Sequence, residues 1–201
     1  MLPSIDLNKL TPGFSDSVQD SQQAFRAVLD AMAHPGRIGI IDNFFLPPTP
    51  LNLASAAICL ALLDFETTFW TEDLKPKTTG TGWLRFHCGC SVIQNPLEAD
   101  FALITSPDIM PALNEFNIGN DENPEFSTTL IIQAGRLSST KGKRLTGPGI
   151  ETFSTFNAQG LTNRFWQDRQ SQSAIFPLGV DIIFTCENRL AALPRTTKVE
   201  G

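Results

Sequence analysis

The chain has 201 residues, 41% hydrophobic and 18% charged, which is enough for one well-buried globular domain. Its net charge of −6 lacks the basic footprint of a general nucleic-acid binder, and its longest apolar run, Leu51 to Leu63, is too short to cross a bilayer. The opening residues, Met1 to Asp6, show neither the basic nor the apolar region of a secretory signal, so a cytoplasmic protein is expected. Charge is uneven: residues 1–134 hold 6 basic against 16 acidic side chains, residues 135–201 hold 9 against 5. A basic C-terminal third suits a small anion or an acidic partner, but on charge alone an uneven solvated surface is the preferred explanation.

The first element is a helix from Val18 to Ala33. Phe25, Val28, Leu29 and Met32 fall at i, i+3, i+4 and i+7 and predict its core-facing stripe. Asp16 or Ser17 can cap its start, and Pro35-Gly36 ends it. Arg37 to Ile41 reads as a short strand. Pro47 to Pro50 forms a rigid connector into a helix over Leu51 to Leu63, apolar nearly all round and therefore buried. Thr67 to Trp70 is a buried strand, Lys75 to Gly82 a loop, and Trp83 to Cys88 a weakly alternating strand. Asp100 to Thr105 and Thr128 to Ala134 are further strands, with an acidic loop, Ile118 to Ser127, between them. After a glycine-punctuated stretch from Gly135 to Gly149 comes a helix over Leu161 to Arg169. Val180 to Cys186 and Arg189 to Leu193 are joined by Glu187-Asn188, the length of a two-residue hairpin. Strands interleaved with helices predict a single α/β domain over residues 1–201 with a mixed sheet.

The last block, Phe176-Pro-Leu-Gly-Val-Asp181 through Leu193-Pro-Arg-Thr-Thr197, resembles the C-terminal signature of the H-subunit (PhnH) family of the carbon–phosphorus lyase system. Phe25-Arg26, Leu29, Ala31-Met32 and Pro35-Gly36 are similar to that family's N-terminal helix and turn. Asp64, Thr67 and Trp70 fit its second block, Leu84 to His87 its third, and Leu145-Thr-Gly-Pro-Gly-Ile150 its glycine turn. The resemblance implies a three-layer α/β/α sandwich, similar in shape to the large domain of pyridoxal-phosphate-dependent transferases. It implies a homodimer within an assembly containing the G, I and J subunits. It also implies action with the G, I and L proteins in displacing adenine from ATP with a phosphonate, forming a ribose 1-phosphonate 5-triphosphate. The rival expectation is an independent small-molecule transferase with a cleft at its dimer interface.

Familiar chemistries fit the residues poorly. Pyridoxal chemistry needs a Schiff-base lysine, but Lys9, Lys75, Lys77, Lys141, Lys143 and Lys198 all lie in polar or terminal segments. Gly135 to Arg144 has the wrong spacing for a phosphate-binding loop and lacks a hydroxyl after Lys143. His87-Cys88-Gly89-Cys90 has neither zinc spacing nor a second ligand pair, and adjacency in sequence is not the spatial pairing a Cys–His nucleophile needs. Cys59 and Cys186 read as small core residues. Without a secretory signal, thiols rather than disulfides are expected. No cofactor and no metal is expected.

Three places remain as sites for an anionic substrate or a subunit contact. Arg195-Thr196-Thr197 sits at a strand end, where ligands collect in α/β sheets, and a guanidinium with two hydroxyls suits phosphate or phosphonate oxygens. The alternative is that Arg195 pairs with Asp181 or lies in an interface. Thr146-Gly147-Pro148-Gly149 exposes backbone amides and could cradle an anion; the alternative is a structural turn. Arg85 and His87, alternating on one strand face, form the third.

Overall fold

A seven-stranded sheet divides the molecule into two cores. The computed structural model describes residues 10–42, 44–72 and 79–201; Lys9, Lys75, Lys77 and the 75–78 part of the expected loop lie outside them. The strands are β1 (Gly39–Ile40), β2 (Thr68–Thr71), β3 (Ser91–Val92), β4 (Phe101–Ile104), β5 (Thr129–Gln133), β6 (Leu137–Thr146), β7 (Ser154–Ala158), β8 (Asp181–Cys186), β9 (Arg189–Leu193) and β10 (Lys198–Glu200). The large sheet runs β1-β9-β8-β5-β4-β2-β3, and β10-β6-β7 form a second, three-stranded sheet. In the large sheet β9 alone runs against the others. The β8–β9 hairpin turns at Glu187-Asn188, where Glu187 takes φ 54°, as a two-residue turn requires.

Helices α1 (Ser17–Ala33), α2 (Leu53–Leu62) and α3 (Thr79–Cys88) cover one face. The other face carries the small sheet and α4 (Asn163–Gln172). This is a mixed α/β protein with a mostly parallel sheet, but its third layer is largely sheet where helices were expected. The second sheet escaped notice because β6 buries Leu137 and Leu145 at its ends while most of Ser138 to Arg144 faces outward. Phe184 from β8 meets Phe156 of β7 at 5.2 Å and Phe165 of α4 at 6.0 Å between ring centroids. Each such ring contributes about 1.5–3 kcal/mol by burial.

Two expectations are corrected. Asp16 caps α1 as predicted, its Oδ1 accepting from the N–H groups of Val18 (3.1 Å) and Gln19 (3.0 Å). The helix, however, buries Ala24, Val28 and Ala31. Phe25 and Leu29 stay 44% and 52% exposed. Small side chains let α1 approach α2, itself lined by Ala54, Ala56 and Ala57, more closely than a Phe/Leu ridge would. Trp83 to Cys88 is the last part of helix α3, not a strand. Trp83 and Leu84 are both buried in the same core, which adjacent residues can do on a helix, whereas on a strand they would face opposite sides of the sheet.

Candidate functional site

The end of β9 is not where ligand sites of parallel sheets lie. Because β9 is antiparallel, Leu193 pairs with Ile182 near the start of β8. Arg195 therefore sits at the N-terminal edge of the parallel strands, opposite the edge where such sites collect. Thr197 N–H donates to the Pro194 carbonyl (2.9 Å) and closes a turn. Inside it, Asp181 Oδ1 accepts from the Arg195 backbone N–H at 2.7 Å. Arg195 Nε donates to Asp181 Oδ2 at 3.2 Å and Nη2 to the same oxygen at 2.6 Å, while Nη1 donates to the Pro124 carbonyl. The two side chains are 17% and 15% exposed. All three guanidinium nitrogens are thus engaged by the protein, and the pairing with Asp181 is what the fold contains.

Behind this turn lies a residue that the motif reading missed. Arg169 is fully buried, and its Nη2 donates to the carbonyls of Pro194 (2.6 Å) and Thr197 (2.9 Å). Its Nε and Nη1, and the buried Thr197 Oγ1, have no protein partner among the described residues. Burial pushes the guanidinium down to about 10, with the Asp181 charge working against the shift, so it remains a cation at neutral pH. A signal existed: Phe165, Arg169 and Gln172 recur on the helical period, and all three are buried.

The glycine turn meets the same place. Thr146 pairs with Lys198, and a Cβ on Gly147 (φ 134°) would stand 2.9 Å from the Thr196 carbonyl oxygen. A Cβ on Gly149 (φ 80°) would collide with the Ala33 carbonyl oxygen at the end of α1. The turn is pressed against backbone on both sides. Arg195, Thr196, Thr197, Asp181, Thr146, Gly147 and Gly149 therefore form one neighbourhood. A groove of about 410 Å³, lined in part by Met32, Pro124, Phe176 and Arg195, opens beside it.

Arg85 and His87 do not join it. Two residues apart on a helix, they are separated by about 200° and do not share a face. His87 packs 4.5 Å from the Trp83 ring, and its Nε2 lies 3.2 Å from the Thr11 carbonyl oxygen. Three cysteines gather nearby. Burial, followed by their mutual charges, raises Cys59; burial raises Cys88 to about 12 and Cys90 to about 11. These are protonated, unreactive thiols at neutral pH.

A second polar cluster, unforeseen in the sequence, occupies the C-terminal edge. The chain leaves β2 through α3 on one face and leaves β4 toward Leu113 and Phe116 on the other, so the β2/β4 boundary is a topological switch point. There Glu72 Oε1 accepts from Thr105 N–H (2.6 Å), Thr105 Oγ1 (2.6 Å) and Ser106 N–H (2.8 Å). Gln133 Oε1 accepts from Asn52 N–H and Ser55 Oγ, both at 2.6 Å, tying β5 to the start of α2. Glu72 and Thr105 directly follow strands and Gln133 ends one, a pattern visible in the sequence. Among the described residues no group of three or more His, Cys, Asp or Glu side chains is arranged to hold a metal ion.

Residues 12–200 match the family described as bacterial phosphonate metabolism protein (PhnH). The chain belongs to the PhnH family. It is 34% identical over 187 residues to the alpha-D-ribose 1-methylphosphonate 5-triphosphate synthase subunit PhnH of Rhizobium meliloti (strain 1021), covering 93% of this chain and 94% of that one. It is 30% identical over 183 residues to HtxG of Stutzerimonas stutzeri, named as a C-P lyase subunit protein, covering 89% and 85%. The PhnH-like blocks that lie far apart in sequence converge here. Gly36 N–H donates to the Ala192 carbonyl at 3.0 Å, Gly149 abuts Ala33, and Gly147 abuts Thr196. The Asp64–Thr67 block is a local turn, with Asp64 Oδ1 accepting from the N–H groups of Glu66 (2.9 Å) and Thr67 (3.1 Å).

Proposed function

We propose that this chain is the non-autonomous H subunit of a carbon–phosphorus lyase system. In this reading it acts with G, I and L proteins to displace adenine from ATP with an alkylphosphonate, yielding a ribose 1-phosphonate 5-triphosphate that a J subunit later cleaves. The observation that carries the reading is the near full-length match to the Rhizobium meliloti synthase subunit. We extend it to a single domain over residues 1–201, a cytoplasmic homodimer joining a G–I–J assembly, and a shape akin to the large domain of pyridoxal-phosphate-dependent transferases. The seven-stranded sheet with one reversed strand and helices packed on it supports that last likeness. The absence of a membrane-spanning helix among the described residues is compatible with the location.

The role assigned to the Arg195 neighbourhood is subunit contact, with Arg195, Thr196, Thr197 and Asp181 setting the shape of the turn. Its internally engaged guanidinium supports contact over anion capture. The test is adenine release from ATP and methylphosphonate. The chain alone is expected to release none, and adding it to the G, I and L proteins is expected to switch release on. Release by the pure chain would favour the independent transferase, and a G–I–L mixture indifferent to the chain would refute the proposal.

A further inference from the structure

The groove beside the Arg195–Asp181 pair is walled by Met32, Phe176, Pro124, Pro177 and Pro194. Phe176 is 59% exposed. Phe25 and Leu29 lie seven and three residues before Met32 on α1, on the same helical stripe, and the core uses neither. The cation in the groove, Arg195, is bonded to Asp181 and Pro124, so the cleft is apolar in character and ill suited to a free anion. Its rim is acidic. Glu125 lines the groove, and Asp121 and Glu122 precede it in a turn held by Asn120 Oδ1, which accepts from the N–H groups of Glu122 (3.0 Å) and Asn123 (2.8 Å). All three acidic residues are exposed. None of their carboxylates has a hydrogen-bond or ion-pair partner among the described residues.

We propose that this groove docks a segment of a partner subunit that carries apolar side chains flanked by lysine or arginine. The inference rests on the non-autonomous role argued above. Apolar walls beside the unpaired Glu125 and the acidic turn that precedes it define the occupant, since apolar contact supplies affinity and opposite charge supplies orientation and encounter rate. A second copy fits badly. A two-fold contact sets the same patch against itself, which would bring Asp121, Glu122 and Glu125 toward their own copies.

The test titrates the full-length chain against a purified G–I–J assembly over a salt series. Two variants are compared, Phe176→Ser and the combined Asp121→Lys, Glu122→Lys and Glu125→Lys, with Glu187→Lys, at the far end of β8 from Asp181, as control. The wild type should bind more weakly as salt rises. Phe176→Ser should weaken binding about tenfold or more. The triple reversal should weaken it most at low salt and flatten the salt dependence, because screening removes what reversal removes. Both variants should melt with the wild type, since the altered side chains are exposed. Wild-type affinity in both variants, or equal weakening by Glu187→Lys, overturns the proposal. Loss of self-association in Phe176→Ser with partner binding intact also overturns it, by giving the groove to a second copy. A wild-type chain that binds no partner assembly defeats the non-autonomous reading itself, and this inference with it.

Discussion

Arg195→Ala measures how far the Pro194–Thr197 turn depends on its internal ion pair. The substitution removes the Nε and Nη2 donors from Asp181 and the Nη1 donor from the Pro124 carbonyl. Breaking a buried pair by deleting one partner costs about 3–5 kcal/mol, because the other charge is stranded. Two features place this case at the lower end. Asp181 keeps the backbone N–H of residue 195 at 2.7 Å, and its side chain is 15% exposed, so water can reach it. A loss of about 3 kcal/mol in a chain of this size lowers Tm by about 6–12 °C. Calorimetry or near-ultraviolet dichroism at neutral pH measures it. A double-mutant cycle with Asp181→Asn should show coupling of about 1–3 kcal/mol. A Tm change below about 2 °C, or additive single and double variants, would refute the account of Arg195 as a lock.

Arg169→Ala leaves the Pro194 and Thr197 carbonyls without their side-chain donor and opens a cavity, so urea denaturation should show a loss of about 3 kcal/mol or more; an unchanged midpoint contradicts the clamp. Gly149→Ala must combine a left-handed backbone (φ 80°) with a collision at the Ala33 carbonyl and should cost about 2–3 kcal/mol; wild-type melting would disprove the close approach. The raised thiols of Cys88 and Cys90 bind their protons more tightly folded than unfolded. Their contribution to stability is therefore complete below about pH 8.5, the ordinary thiol value, and is lost as pH rises toward about 11 to 12. Iodoacetamide labelling of the native chain followed by mass spectrometry should find both unmodified at pH 8; rapid labelling there would be incompatible with their burial.

Wherever hydrophobic pattern and local chemistry agree, the sequence alone determined the element. The Asp16 cap and the Pro35-Gly36 stop delimited α1, near-continuous apolarity marked α2, and short apolar runs marked β4, β5 and β8. Ordered blocks carried the family, because a motif survives in the chain whatever its neighbours in space. Where polar residues alternate weakly, pattern was insufficient. β6 was hidden by its outward-facing serines and lysines, and α3 was mistaken for a strand because two buried neighbours, Trp83 and Leu84, carry no period. The core-facing side of α1 was likewise decided by packing, since Ala24, Val28 and Ala31 permit a close approach that size-blind periodicity does not weigh.

The site divides in the same way. The sequence singled out Arg195, Thr196, Thr197, Asp181 and the Gly147–Gly149 turn, and even the possible Arg195–Asp181 pairing. Only the tertiary structure decided that these segments meet, that Arg169 supports them from within, and that they lie at the opposite edge of the sheet from the Glu72–Thr105 cluster. Strand direction fixed that last point. The two-residue hairpin legible in the sequence already returns the end of β9 to the start of β8, but no local pattern says that β8 runs parallel to β5, and that pairing sets the edge of the sheet at which the start of β8 lies. Direction and neighbourhood are properties of contacts made across 50 or more residues of chain, as between Pro35 and Ser154, and no local pattern contains them.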